Sequence, residues 1–200
     1  MEENRSTDSP RANTPMTEDQ IIAATVGERQ PLTSTIYLAP YDPAWTSLFT
    51  QLKKHIHEAL GDDLLLLEHV GSTSVPELSA KPIIDMVLAV ADSSDELPYV
   101  KPLEEKGYTL WGREPDWYEH RLLKAPDMQG NLHVFSDGCE EIEQMLLFRD
   151  WLRNYADDRL LYENTKRELA ARTWKYTQNY ADAKTEVVQQ ILARARSNQI

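Results

Sequence analysis

The stretch from His69 to Val90, HVGSTSVPELSAKPIIDMVLAV, constrains the fold more than any other part of the chain. It opens on a turn of small residues, passes a short connection holding Lys81, and ends in an apolar run with a single carboxylate, Asp85. Gly71, Ser72, Thr73 and Ser74 offer unhindered backbone N–H groups and hydroxyls, which is the chemistry that holds a phosphate. Asp85 lies eleven positions after Ser74, inside Ile83-Ile84-Asp85-Met86-Val87-Leu88. An ionised carboxylate in an apolar strand is costly unless a metal or a cation meets it. A phosphate cradle followed by a strand-borne acid predicts a nucleotide–metal site.

Around that stretch the pattern predicts an α/β fold: a mixed sheet over residues 36–138, then a helical part over 139–196. Residues 1 to about 35 are rich in Ser, Thr, Pro, Glu and Arg and read as a flexible tail, within which Thr17 can cap a short helix. Ile36-Tyr37-Leu38 reads as an edge-like strand. Asp42-Pro43 starts a helix with Trp45, Phe49, Leu52, Ile56 and Leu60 at helical spacing, and Gly61 stops it. Residues 64–70 and 83–90 read as central strands, 98–106 as a helix, and 108–111 as a short strand. Residues 118–124 and 131–135 form a hairpin. Helices are expected at about 140–155, 158–173 and 178–196.

Charge and cysteine content narrow the functions. Two hundred residues suit one domain, and a net charge of −12 argues against long nucleic acids as partners while leaving room for a small anionic ligand in a local basic pocket. The single cysteine, Cys139, excludes an internal disulfide framework and fits a reducing compartment. No apolar run approaches the roughly 20 residues that span a bilayer, and the Met-Glu-Glu start has no apolar signal segment. A cytoplasmic protein without membrane contact is expected.

The helical end places cations inside apolar faces. Lys166 projects between Tyr162 and Leu169, Lys184 between Tyr180, Val187 and Ile191, and Arg149 among Ile142, Met145 and Leu146. Two readings stand: snorkelling or internal pairing with Asp150 and Glu163, or a convergent anion pocket. On the hairpin, alternation puts Glu119, Arg121 and Leu123 on one face and His120 and Leu122 on the other. His133, between Leu132 and Val134, is a core histidine or a functional one. Trp111, Trp117 and Tyr118 read as core or rim.

Glu68-His-Val-Gly-Ser-Thr-Ser-Val-Pro-Glu-Leu-Ser-Ala-Lys-Pro-Ile-Ile-Asp85 resembles the signature of the GrpB family, members of the nucleotidyltransferase-like superfamily. The resemblance runs from Tyr41-Asp-Pro-Ala-Trp45 through Asn131-Leu-His-Val-Phe135 and Leu147-Phe-Arg-Asp-Trp-Leu-Arg153. It continues through Tyr162-x-x-x-Lys166 and Tyr180-x-x-Ala-Lys184, covering roughly residues 36–195. It implies the nucleotidyltransferase-type fold, and some family members are fused to dephospho-coenzyme A kinase. One departure is Glu77, where the family pattern usually has Gly; it puts an acidic side chain beside the phosphate turn.

The resulting expectation is an ATP- or nucleotide-binding, Mg²⁺-assisted transferase acting on a small-molecule acceptor, by nucleotidyl transfer or by adenylation leading to ligation with an amine. His69, Gly71, Ser72, Thr73 and Ser74 would hold phosphates, with Lys81, Arg121, Arg149, Lys166 and Lys184 neutralising them. Asp85, with His133, would hold the metal, and His133 or Glu119 would serve the acceptor as base. Palms of this kind carry a second acid two positions after the first, and here that place is Val87. The alternative is therefore an accessory module that binds an anion or nucleotide without catalysis.

Overall fold

The computed structural model describes residues 14–32 and 35–198. The first helix, α1 (Glu18–Ala24), is closed by the expected cap: the Thr17 hydroxyl accepts from the Gln20 N–H and the Gln20 side chain accepts from the Thr17 N–H. Seven residues are too few to hold a helix alone in water, and α1 is held by tertiary contacts instead. Ile21 is buried, and Thr25 makes an antiparallel bridge to Gly112. Leu32 N–H donates to Lys175 O, and Met16 N–H to the Asp182 carboxylate. The flexible reading of residues 1–35 is thus corrected over 16–32; residues 1–13 and 33–34 lie outside the described residues. Ile21→Ala is expected to cost about 2 kcal/mol, the low end for a buried isoleucine because an end segment can relax. Limited proteolysis at Arg29 would accelerate accordingly; an unchanged melting temperature and cleavage rate would count against docking.

Helix α2 (Ala44–Leu60) starts where the Asp42 side chain accepts from the Ala44 N–H, and stops at Gly61, whose φ of 52° suits glycine. Then follow β1 (Leu66–Val70), β2 (Ile84–Val90), α3 (Val100–Glu105), β3 (Thr109–Glu114), β4 (His120–Lys124) and β5 (Gly130–Ser136). The helical end comprises α4 (Glu140–Asn154), α5 (Ala156–Ala170), α6 (Thr177–Asp182) and α7 (Thr185–Ser197). The single helix expected over 178–196 is broken at Ala183-Lys184. Residues 36–38 form no strand; Ala39 makes only an isolated bridge to Ala80.

The strands form one mixed sheet in the order β1-β2-β5-β4-β3, with β2 and β5 parallel and the other pairs antiparallel. β1 is therefore an edge strand and not a central one. Alternation along β2 sends Ile84, Met86, Leu88 and Val90 into a core with Trp45, Leu52 and Ile56 of α2 and Leu103 of α3. Asp85, Val87 and Ala89 face the other way. There Val87, Ala89 and Phe135 pack with Ile142 of α4, while α4, α5 and α7 close on Val75 and Leu78 of the loop after β1. Apolar packing covers only part of this second face. The register aligns Asp85 with Asn131, Asn131 with Lys124, and His133 with Leu122, so a polar patch remains beside it.

Candidate anion-binding site

Gly71, the pivot of the site, has φ 67° and ψ −173°, a conformation that favours glycine. A Cβ there would come within 2.5 Å of Asp85 Oδ2, so glycine also permits the turn to lie against the carboxylate. Residues Ser72–Ser74 then make a single 3₁₀ turn. Most of its hydroxyls are occupied internally. Ser74 Oγ donates to Gly71 O (2.6 Å), and Thr73 Oγ1 bonds His69 Nε2 (3.0 Å) and donates to Ile83 O (3.3 Å). His69 itself is buried and stacks on Phe49, and burial pushes its pKa down to about 4. His69, Thr73 and Ser74 therefore brace the turn, whereas Ser72 faces the helical end, where its Oγ accepts from Lys166 Nζ (3.0 Å).

Four lysines gather around Asp85. Lys166 of α5 is 2% exposed and also donates to Ser79 O. Lys81 and Lys184 both lie over the Tyr180 ring, 5.6 and 5.0 Å from its centroid. Lys124 of β4 donates to Asn131 Oδ1, and Asn131 Nδ2 donates to Asp85 Oδ1 (2.6 Å). Each of the four feels the Asp85 charge. They also repel one another: Lys184 acts on Lys166 and Lys81, and Lys81 on Lys124. Desolvation, reinforced by this repulsion, lowers Lys166 to about 7 and Lys124 to about 8, and burial lowers Lys81 and Lys184 as well. The Tyr180 hydroxyl is buried and has no hydrogen-bond partner among the described residues. Like charges this close, desolvated and mutually repelling, are stabilised by an anion between them.

A second polar array runs along the same face. Glu114 Oε2 lies 2.7 Å from His120 Nδ1, and His120 Nε2 lies 3.1 Å from His133 Nδ1. A carboxylate at one end makes His120 Nδ1 the donor, so His120 Nε2 accepts from His133 Nδ1–H. His133 Nε2 is then the unprotonated end of the chain. Burial keeps His133 neutral, with a pKa of about 4.

Three residues from the sequence reading are placed elsewhere. Tyr118 and Glu119 adopt left-handed φ values of 54° and 52°, so the β4 alternation begins only at His120. Glu119 is thereby left at the surface, paired with Arg121, and is no candidate base. Arg121 points into the opposite face, where Nε meets Glu96 Oε1 at 2.7 Å. Arg149 is engaged by Glu68 Oε2 (2.8 Å), His69 O and Asp150, the internal pairing that had stood as one reading of the helical cations. For Lys166 and Lys184 the convergent reading describes the geometry. Lys124 and Glu114 carry no local signal, and Asn131 and Tyr180 stand in the sequence only as motif positions, because their roles depend on strand register and helix docking. Trp117 lies against Phe135 and His120 in the second core, as core or rim.

Glu77 has φ 67°, which accounts for glycine in the family pattern at this position. Its side chain turns outward to Arg159 (2.7 Å) and away from the phosphate turn. Glu77→Gly is expected to raise stability by about 0.5 kcal/mol by relieving left-handed strain, since Arg159 keeps its bond to Leu152 O. Urea unfolding checks this; a clear loss of stability would mean that the Arg159 pair outweighs the strain.

The donor set does not fit Mg²⁺. That ion demands near-octahedral oxygen ligands, yet Asp85 sits among ammonium groups and Val87, fully buried, occupies the place of a second acid. Among the described residues no group of three or more His, Cys, Asp or Glu side chains is arranged to hold a metal ion.

A five-stranded mixed sheet carrying Asp85 beneath a Gly-Ser turn, followed by a helical subdomain, defines a nucleotidyltransferase-like fold. The chain belongs to the GrpB protein family, whose pattern matches residues 35–194. It is 53% identical to a UPF0157 protein of Halalkalibacterium halodurans over 185 residues, 92% of this chain and 95% of that one. It is 45% identical to a UPF0157 protein of Streptomyces coelicolor, covering 80% and 84% of the two chains. The crystal structure of GrpB from Enterococcus faecalis superposes with a TM-score of 0.72 at 28% identity, covering 82% of this chain and 99% of that one. A protein named dephospho-CoA kinase in Mycolicibacterium paratuberculosis is 29% identical over 178 residues, 75% of this chain but 43% of its own length. No helix among the described residues is long and apolar enough to cross a membrane.

Proposed function

We propose that the lysine cluster around Asp85 binds the phosphates of a nucleotide, ATP or a relative, and that the protein is a transferase acting on a small-molecule acceptor. The observation that carries the reading is the convergence of Lys81, Lys124, Lys166 and Lys184 on Asp85 beneath the Gly71 turn. In this reading Lys166 joins the ligand to Ser72. An acceptor hydroxyl or amine attacks the α-phosphorus, its proton passes to His133 Nε2, and pyrophosphate leaves with its charge held by the lysines. Glu114 and His120 orient His133 for that step. A carboxylate acceptor would form an acyl adenylate without the proton transfer and pass it to an amine. Relatives carried within proteins named dephospho-CoA kinase support an association with nucleotides.

Burial of Val87 where such folds place a second acid favours a second reading, an accessory module that binds nucleotide without turnover. A melting-temperature screen with ATP, GTP, ADP and pyrophosphate tests binding, because a ligand specific to the native state raises apparent stability. An increase with ATP is expected; no shift with any of the four would remove both readings. Phosphorus NMR of the bound ATP in the presence of small amines and carboxylates then separates turnover from binding.

A further inference from the structure

Resting on the phosphate reading above, we infer that this pocket takes its polyphosphate free of any divalent cation, the lysine ammonium groups supplying the counter-charge. Charges reach the pocket from every element around it. Lys81 comes from the connection before β2, Asp85 from β2, Lys124 from β4, Lys166 from α5 and Lys184 from the α6–α7 junction. Arg29 of the N-terminal segment acts on Lys124, and Asp182 of α6 on Lys184. Glu163 and Arg167, which also act on Lys166, neutralise each other as an ion pair at 2.6 Å. When all are protonated, five cations stand against the two carboxylates Asp85 and Asp182, a surplus of three positive charges.

Asp182 is further committed, accepting from the Met16 N–H and the Gln178 amide. Asp85 accepts from Asn131 and has Gly71 packed against its other oxygen. A dication arriving with the ligand would find one half-occupied carboxylate and repulsion from four ammonium groups. Free polyphosphate, which carries more negative charge than its magnesium complex, matches the surplus. The Ser72 hydroxyl, which Lys166 already reaches, is a neutral group suited to a phosphate oxygen. The lowered ammonium pKa values agree with this, since bound anion raises them and draws protons in.

Isothermal titration of the full-length protein with inorganic pyrophosphate and with ATP, at matched ionic strength, tests the inference in two buffers. One contains EDTA and the other excess Mg²⁺. Affinity in EDTA is expected to be at least as tight as in Mg²⁺, by about tenfold for pyrophosphate. Tighter binding of both ligands in Mg²⁺ would overturn the inference and leave the phosphate reading standing. Absence of binding in both buffers would overturn both. Lys184→Met, checked for folding by circular dichroism, should lose the EDTA-condition affinity; undiminished binding by the folded variant would show that the pocket does not supply the counter-charge.

Discussion

Replacing Lys184 with methionine should weaken ATP or pyrophosphate binding by ten- to a hundredfold while the protein melts no lower than the parent. A charge-assisted hydrogen bond contributes about 1.5–3 kcal/mol, which is the origin of that range. Stability is preserved for a separate reason. The Lys184 side chain makes no hydrogen bond or ion pair among the described residues; it rests on the Tyr180 ring and is held below its ordinary pKa by burial. Methionine keeps much of the volume and removes a charge that repels Lys166 and Lys81. The pH dependence should separate stability from binding. Lys166 titrates near 7, against about 10.5 when unfolded, with Lys184, Glu163, Arg167 and Asp85 as the charges acting on it. Between those values the unfolded chain binds more protons, so Lys166 makes the apo-protein more stable as pH rises. Anion binding runs the other way, weakening above pH 7 as Lys166 and then Lys124 lose their protons. Calorimetry and urea unfolding at pH 6.5 and 9 measure the two trends; parallel trends would contradict the assignment.

Asp85→Asn should destabilise the protein by about 2 kcal/mol near pH 7, below the roughly 3–5 kcal/mol of a fully buried ion pair because the site is only half-buried. Its carboxylate is the charge common to all four lysines, and the amide would leave their repulsion without a counter-charge. The amide also places an N–H₂ group where Asn131 now donates, unless it rotates. Raising the pH toward 10 neutralises the lysines, so the deficit should shrink. A variant as stable as the parent at pH 7 would show that Asp85 does not balance the cluster.

Glu68–Asp85 was readable because each of its roles is local. Glycine at a left-handed position, small residues in a tight turn and one acid in an apolar strand all leave traces in adjacent residues. The α2 helix was readable for the same reason: its apolar spacing and its glycine stop are nearest-neighbour properties. Lys166 and Lys184 stood out because helical periodicity put cations inside apolar faces, although periodicity alone left pairing and convergence equally open. Alternation rightly set Arg121 and Leu123 opposite His120 and Leu122, but it took in Glu119, which with Tyr118 is left-handed and precedes β4, and it left open which of the two faces meets Asp85. The docking of α1 was also hidden, since its cap was legible but its partner, β3, lies some ninety residues away.

The sequence by itself determined the turn, the acid-bearing strand, the helical end and the family. Those features arise from backbone conformation and periodicity within a few residues. Only the tertiary structure decided which charges meet. Parallel pairing of β2 with β5 set Asn131 beside Asp85, and antiparallel pairing with β4 added Lys124. Docking of α5 and the break at Ala183-Lys184 brought two more lysines to the same carboxylate, while Arg149 went to Glu68 and Arg121 to Glu96. Electrostatic energy depends on distance and burial in three dimensions, and neither is encoded by separation along the chain.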